Sequence, residues 1–394
     1  MSKDVFILGA GRSAVGTFSG ALAGISPQDL AAQVMQEVIS RSALAPDSIT
    51  QAVVGNCIPT DERYAYVARL ASVGAGLPKS SVAMAVNRLC GSGMQAIVSA
   101  TQAVRLGDCE RAVAGGVEVM SRAAYLSTAM RGGARLGDSQ MVDAMVAALN
   151  DPFGVGHMGV TAENLAQKWD ISREEQDRFA AESHRRAAAA QDNGYFDSQI
   201  VPVTLKSRRG ETVFDKDEHI KPATTVETLA TLRPAFKKDG TVTAGNSSGL
   251  NDGAGFCVLG DEQAVRDSGR DPLARVVSYA IAGVPNELMG EGPIPASQAA
   301  LQRAGLRLQD MDVIESNEAF AAQALAVSRA LDLDPARTNP NGGAIALGHP
   351  VGCSGALITT KALYELQRVK GRYGLVTMCI GGGQGIALIV ENLS

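Results

Sequence analysis

The chain has 394 residues, of which 45% are hydrophobic and 20% charged, with a formal net charge of −5 at pH 7. That length allows two or three domains with sizeable cores, and the negative balance argues against general nucleic-acid binding, which needs a basic surface. One Trp and 4% aromatic residues leave little for base-stacking platforms.

In chain order, Val5–Leu8 reads as a strand, and Ser26-Pro27 opens a helix, with Ser as N-cap and Pro in the first turn. Ala52–Val54 and Ala83–Val86 are further strands. A helix is predicted from about Ser92 to Leu106, stopped by Gly107. Arg111–Ala114 is a fourth strand, expected to end at Gly115-Gly116. Strands and helices alternating over short links imply a sheet covered on both faces.

From 119 to about 249 the pattern becomes irregular and reads as an inserted loop domain. Its clearest helix starts at Ser172, with Glu175 completing a capping box, and runs to about 192. Residues 204–240 hold eight Lys/Arg against six Asp/Glu, a modest local basic balance. Beyond about 270 the alternation returns and echoes the first half. Asp312–Ser316 before Asn317 matches Gln51–Gly55 before Asn56, and the helix after Cys353-Ser354-Gly355 matches the one after Cys90-Gly91-Ser92-Gly93. Val376–Met378 before Cys379 matches Val113-Ala114 before Gly115-Gly116. The echo implies internal duplication: residues 1–118 plus 250–270 as one domain, 119–249 inserted, and 271–394 as the other. The uncharged 373–390 stretch, broken by Gly381, Gly382, Gly383 and Gly385, reads as a buried hairpin and not a membrane span.

The N-terminus runs straight into V-F-I-L-G-A without a basic flank or cleavage site. Six cysteines, none in a C-x-x-C pair, imply no disulfide framework. A reduced, cytoplasmic setting is expected.

Three stretches concentrate reactive side chains among glycines: V-N-R-L-C-G-S-G around Cys90, N-P-N-G-G-A-I-A-L-G-H-P around His349, and T-M-C-I-G-G-G around Cys379. Cys90 falls at a helix start, where unpaired N–H groups favour a thiolate, and Gly91 and Gly93 are expected to keep the backbone open to substrate. The gain from a lowered thiol pKa is small. About 15-fold more thiolate is offset by about fivefold lower nucleophilicity. Backbone donors aimed at a developing oxyanion, each worth about 3–4 kcal/mol, must supply the rest. His349 is one of four histidines, held between Gly348 and Pro350; Asn317 ends a strand in S-N-E-A-F. The Cys and His spacings fit no zinc site, and no G-x-x-x-x-G-K-[ST] loop occurs.

Together with H-M-G-V-T-A-E at 157–163, T-A-G-N-S-S-G-L-N-D at 243–252, N-E-A-F at 317–320 and G-H-P at 348–350, these motifs resemble the thiolases over essentially the whole chain, close to the bacterial acetyl-CoA acetyltransferase and β-ketothiolase group. The resemblance implies an α/β, duplicated αβαβα layered fold of two five-stranded halves with an inserted loop domain that binds CoA and makes tetramer contacts. It implies Cys90 as the acyl-carrying nucleophile, His349 as its activator, and Cys379 as the acid/base for the α-proton. Asn317, through a water, would complete one oxyanion hole with His349; the N–H groups of Cys90 and Gly381 would form the other. Leu149, His157, Met158, Lys221, Thr228, Phe236 and Ser248 would contact CoA, with Phe320 near the acyl end. Three departures stand out, one of them Thr228 where a shorter hydroxyl is usual. Lys221 replaces a usual Arg and cannot stack on adenine in the same way, and Cys353 replaces a usual small residue.

The implied activity is reversible condensation of two acetyl-CoA to acetoacetyl-CoA and CoA, or thiolysis of short 3-ketoacyl-CoA, by a cytoplasmic homotetramer. CoA thioesters are substrates, and neither a resident cofactor, a metal, nucleic acid nor a membrane is expected. A broader-chain degradative 3-ketoacyl-CoA thiolase is the alternative. A non-catalytic lipid carrier would not need all three of Cys90, His349 and Cys379, and a ketosynthase would carry two histidines and no second catalytic cysteine.

Overall fold

The computed structural model describes residues 3–208 and 210–393; Arg209, counted in the 204–240 charge balance, lies outside them. The main sheet contains β1 (Phe6–Arg12), β2 (Gln51–Gly55), β3 (Val82–Val86), β4 (Arg111–Val119), β5 (Asn251–Gly260), β6 (Ala274–Gly283), β7 (Val313–Ser316), β8 (Tyr373–Ile380) and β9 (Gln384–Asn392). They run in the order β7-β8-β9-β6-β1-β5-β4-β2-β3, with the short Gly16–Thr17 strand beside β5.

The duplication is explicit in the pairing. β1, β5 and β4 are antiparallel neighbours, and β2 joins β4 in parallel. β6, β9 and β8 repeat this arrangement, and β7 joins β8 in parallel. The first half adds β3, parallel to β2. In the second half a single bridge, Ile314 to Thr338, stands in that place, so the expected fifth strand is absent among the described residues. The reason is local: Ile314 bonds to the backbone of Arg337 and Asn339, but the next pair of β7 groups, Ser316 N–H and Ser316 O, is taken by the Asn339 side-chain amide at 2.9 and 2.8 Å, which ends the ladder.

Strand alternation sorts the side chains into layers. Val54, Val113, Val117 and Val258 face outward onto Leu30, Val34 and Val38 of the Pro27–Arg41 helix. Val53, Ala112, Ala114 and Leu259 face inward onto Met94, Ile97, Leu357 and Ile358 of the two duplicated helices, Ser92–Leu106 and Ser354–Val369. Val376, Met378, Ile386 and Leu388 close that middle layer from the other side. Leu375, Ala387 and Ile389 pack outward onto Ala296 and Ala300 of the Pro293–Ala304 helix. The result is an αβαβα stack. Among the described residues its half-sheets join where Phe6 and Ile7 pair with Arg275 and Ala274.

Glycines set the spacing of the middle layer. A Cβ at Gly93 would lie 2.9 Å from Ala356 N, and one at Gly355 would lie 2.4 Å from Met94 N. The two helices therefore meet backbone to backbone at their N-termini. Gly91 likewise packs against Ile380. These glycines serve packing, not the substrate access expected from the sequence. The Gly115-Gly116 pair does not end its strand either; β4 continues to Val119. A Cβ at 115 would fall 2.0 Å from Gly255 O and one at 116 would fall 2.0 Å from Gly352 O. Gly382 and Gly383, with φ of 78° and 86°, do form the turn of the expected hairpin.

Between β4 and β5 lie the Met158–Lys168 helix, which the sequence reading did not anticipate, and the Arg173–Asp192 helix with its capping box. This segment is fastened to β1 by a fully buried Arg12–Asp217 pair at 2.8 Å. Arg12 also donates to Gln199, and Asp217 accepts from Val15 N, so no charge is left unpartnered. Removing one partner of such a pair costs about 3–5 kcal/mol. Among the described residues no helix is long and apolar enough to cross a membrane.

Candidate active site

Cys90 lies in the turn between β3 and the Ser92–Leu106 helix. Leu89 before it has φ of 47°, a conformation that costs a non-glycine residue about 1–3 kcal/mol. Its neighbours hold it there. Asn87 Oδ1 accepts from Leu89 N at 2.9 Å, and Ser92 Oγ accepts from Arg88 N at 2.9 Å while donating to Leu89 O at 2.7 Å. The sulfur is thus carried on a strained but over-determined loop.

His349 comes from the second half. Its backbone N–H donates to Asn251 Oδ1 at 3.0 Å, and its Nδ1 lies 2.6 Å from Ser354 Oγ. Nε2 is buried with no hydrogen-bond partner. Gly348, at φ 103°, allows this close seating, since a Cβ there would collide with the Asn251 amide. Cys379 is the penultimate residue of β8 and is buried.

These three side chains and Gly381 line one cavity of about 400 Å³. Leu149, His157, Met158, Phe236, Ser248 and Phe320 line the same cavity. His157 stacks on Phe236 at 4.8 Å, and Phe236 meets Phe320 edge-on at 5.9 Å, forming an aromatic wall. Ser248 is tied to this wall through its N–H to Ala319 O at 3.0 Å.

The other expected residues lie elsewhere. Asn317 borders a small separate cavity with Gly348 and Ser354, and both atoms of its buried amide lack a partner. Lys221 and Thr228 are exposed and are not part of the cavity wall. The Lys221 N–H donates to His184 Nδ1, and Thr228 closes a capping box with Thr225. Cys353 is fully buried in the middle layer, and burial pushes its thiol far above the usual range; it fills space.

Electrostatics differ from the sequence expectation. Burial raises the Cys90 thiol, and the N–H groups of Gly381 and Cys90 itself only partly offset this. Burial pushes Cys379 far above the usual thiol range, and neighbouring Cys90 adds to the shift. Burial also lowers His349 to about 4. The helix start does not produce a resting thiolate; desolvation wins. At neutral pH the site holds two thiols and an uncharged imidazole.

Sequence reasoning missed Glu118, the buried carboxylate behind Cys90. It accepts from Asn56 Nδ2 and Cys57 N in the first half and from Gly352 N in the second. Burial raises it to about 7 against those donors. Its one sequence signal was a lone acid within the apolar run of β4. Met120, Met145, Met289 and Val351 also line the cavity; as ordinary apolar residues, they carried no signal.

Comparison with known proteins agrees along the whole chain. The thiolase N-terminal domain model matches residues 5–263 and the thiolase C-terminal domain model residues 270–392. Beta-ketothiolase BktB of Cupriavidus necator is 55% identical over 394 residues, covering 100% of both chains. Among solved structures, acetyl-CoA acetyltransferase of Bacillus anthracis superposes with a TM-score of 0.97 at 46% identity, covering 100% of this chain and 99% of that one. Human mitochondrial 3-ketoacyl-CoA thiolase in complex with CoA gives 0.96 at 44%, covering 100% and 98%. With the family models spanning both halves and the reactive residues drawn from each, the chain belongs to the thiolase family.

Proposed function

We propose that the protein is an acetyl-CoA C-acetyltransferase that condenses two acetyl-CoA to acetoacetyl-CoA and CoA, reversibly, through an acyl group on Cys90. The observation that carries this reading is the cavity shared by Cys90, His349 and Cys379, together with the buried, unpartnered Nε2 of His349. Relatives named beta-ketothiolase and acetyl-CoA acetyltransferase support it.

The chemistry follows from a count of protons. Nε2 takes the Cys90 proton as the sulfur attacks the thioester carbonyl. The oxyanion is met by the N–H groups of Cys90 and Gly381, whose hydrogen bonds already reach the sulfur region. The CoA thiolate leaves with the proton of Cys379. One thioester replaces another, so the exchange is nearly neutral in energy, and Cys379 is left as a thiolate beside a protonated His349. Its raised pKa makes that thiolate a strong base, suited to a weakly acidic α-C–H. It deprotonates the second acetyl-CoA, and the carbanion attacks the acyl carbon. Cys90 leaves and recovers its proton from His349. Each group ends as it began, and covalent catalysis has divided one difficult step into two. Asn317, with its unpaired amide, would hold a water toward the second acyl oxygen.

The aromatic wall of His157, Phe236 and Phe320 would take the pantetheine arm, with Leu149, Met158 and Ser248 beside it; Lys221 and Thr228 would serve only the solvent-facing nucleotide end. We also propose a cytoplasmic homotetramer. The exposed apolar side chains of Tyr125, Leu126, Met130, Leu136 and Met141 support contacts between subunits.

Cys90→Ala is expected to abolish covalent labelling by radiolabelled acetyl-CoA. Persistent label on that variant would show the nucleophile is another residue.

A further inference from the structure

Ser354 is the first residue of its helix, and its hydroxyl lies between two groups of the preceding turn. Oγ is 2.6 Å from His349 Nδ1 and 2.9 Å from the Pro350 carbonyl oxygen. A hydroxyl has one proton to give. The Pro350 oxygen already accepts from Cys353 N and Ser354 N at 2.9 Å each, so the far side of the ring decides: a proton on Nε2 would be a buried donor with no acceptor. With Nε2 bare, Nδ1 carries the proton of the neutral ring, and Oγ meets it with a lone pair while its own proton turns to the Pro350 oxygen. Nε2 keeps its lone pair, buried and without a hydrogen-bond partner, and His349 shares its cavity with Cys90.

The first half contains the same device. Ser92 opens the equivalent helix, donates to Leu89 O at 2.7 Å and accepts from Arg88 N at 2.9 Å. There the hydroxyl fixes the turn that presents the sulfur. In the second half it fixes a ring.

We propose that Ser354 is a positioning residue: it selects the Nδ1–H tautomer of His349 and so reserves Nε2 to accept the Cys90 proton. This rests on the reading of His349 as the base. The opposite tautomer would place an N–H where the base is needed, and an N–H cannot take a proton from the Cys90 thiol. A carboxylate in the place of Ser354 would also orient the ring, but its charge would favour imidazolium. A hydroxyl orients without charge, which suits a site whose thiol and imidazole rest neutral.

Two measurements test this. Nitrogen-15 solid-state NMR of histidine-labelled wild-type enzyme at pH 8, with His349 assigned by difference from His349→Asn, should show a protonated Nδ1 and a bare Nε2. A protonated Nε2 overturns the proposal without any Ser354 variant. Single-turnover acetylation of Cys90 by labelled acetyl-CoA should slow about 10–100-fold in Ser354→Ala, with half-saturation unchanged. Ser354→Thr, which keeps the hydroxyl, should recover most of the rate. Wild-type acetylation in the Ala variant, or equal loss in Ala and Thr, would reduce Ser354 to packing. His349→Asn separates the two readings: if it acetylates at the wild-type rate, the base assignment itself is wrong.

Discussion

Glu118 Oε2 accepts a hydrogen bond from the backbone N–H of Gly352 at 3.0 Å, and the same oxygen accepts from Cys57 N at 3.0 Å. One carboxylate thus ties the loop beside Cys90 to the loop that follows His349. Burial against these donors leaves it with a pKa of about 7, above the ordinary carboxylate value. The native state therefore keeps a proton that the unfolded chain has already lost. Its contribution to stability is full below the unfolded pKa and declines as pH rises to about 7.

Glu118→Gln should destabilise the protein, because the new amide presents N–H groups to N–H donors. Each orphaned donor costs about 1–3 kcal/mol. The gap from wild type, read by urea unfolding, should be wider at pH 5 than at pH 8, since only the wild type titrates. A gap independent of pH would contradict the raised pKa.

The neutral thiol–imidazole pair has its own signature. With burial raising Cys90 and holding His349 at about 4, the thiolate appears only above the usual thiol range of about 8.5. Alkylation of the free enzyme by iodoacetamide should keep climbing to pH 9, with no plateau near 7. A plateau at neutral pH would reveal a preformed thiolate–imidazolium pair.

Cys379→Ala should still accept an acetyl group on Cys90 but should lose exchange of the acetyl α-hydrogen with deuterated water. General-base catalysis contributes about 10²–10⁴-fold, so a loss of that order is expected. Undiminished exchange would remove Cys379 from the role.

Much of this architecture was legible from local signals. Apolar runs marked β1, β2, β3 and the β8–β9 hairpin, and Ser-Gly punctuation marked the two central helices. Long-range demands were not legible. Gly115 and Gly116 looked like a strand end, yet the backbones they admit, at Gly255 and Gly352, lie some 140 and 236 residues away in sequence. Whether a cysteine at a helix start is a thiolate depends on how much water the far half of the chain removes. Lys221 and Thr228 stand apart from the cavity because the loop that carries them is fastened to His184 and to itself. Ser354 was visible as an echo of Ser92, but its partnership with His349 required coordinates.

The backbone contact between Gly355 and Met94 N has a wider meaning. The sulfur precedes one central helix and the imidazole precedes the other, so the gap between nucleophile and base is gauged by two absent methyl groups, not by any side chain the substrate touches. A single carbon added at that crossing would act as a wedge, spreading the reacting pair while leaving every atom of the substrate chamber chemically unchanged.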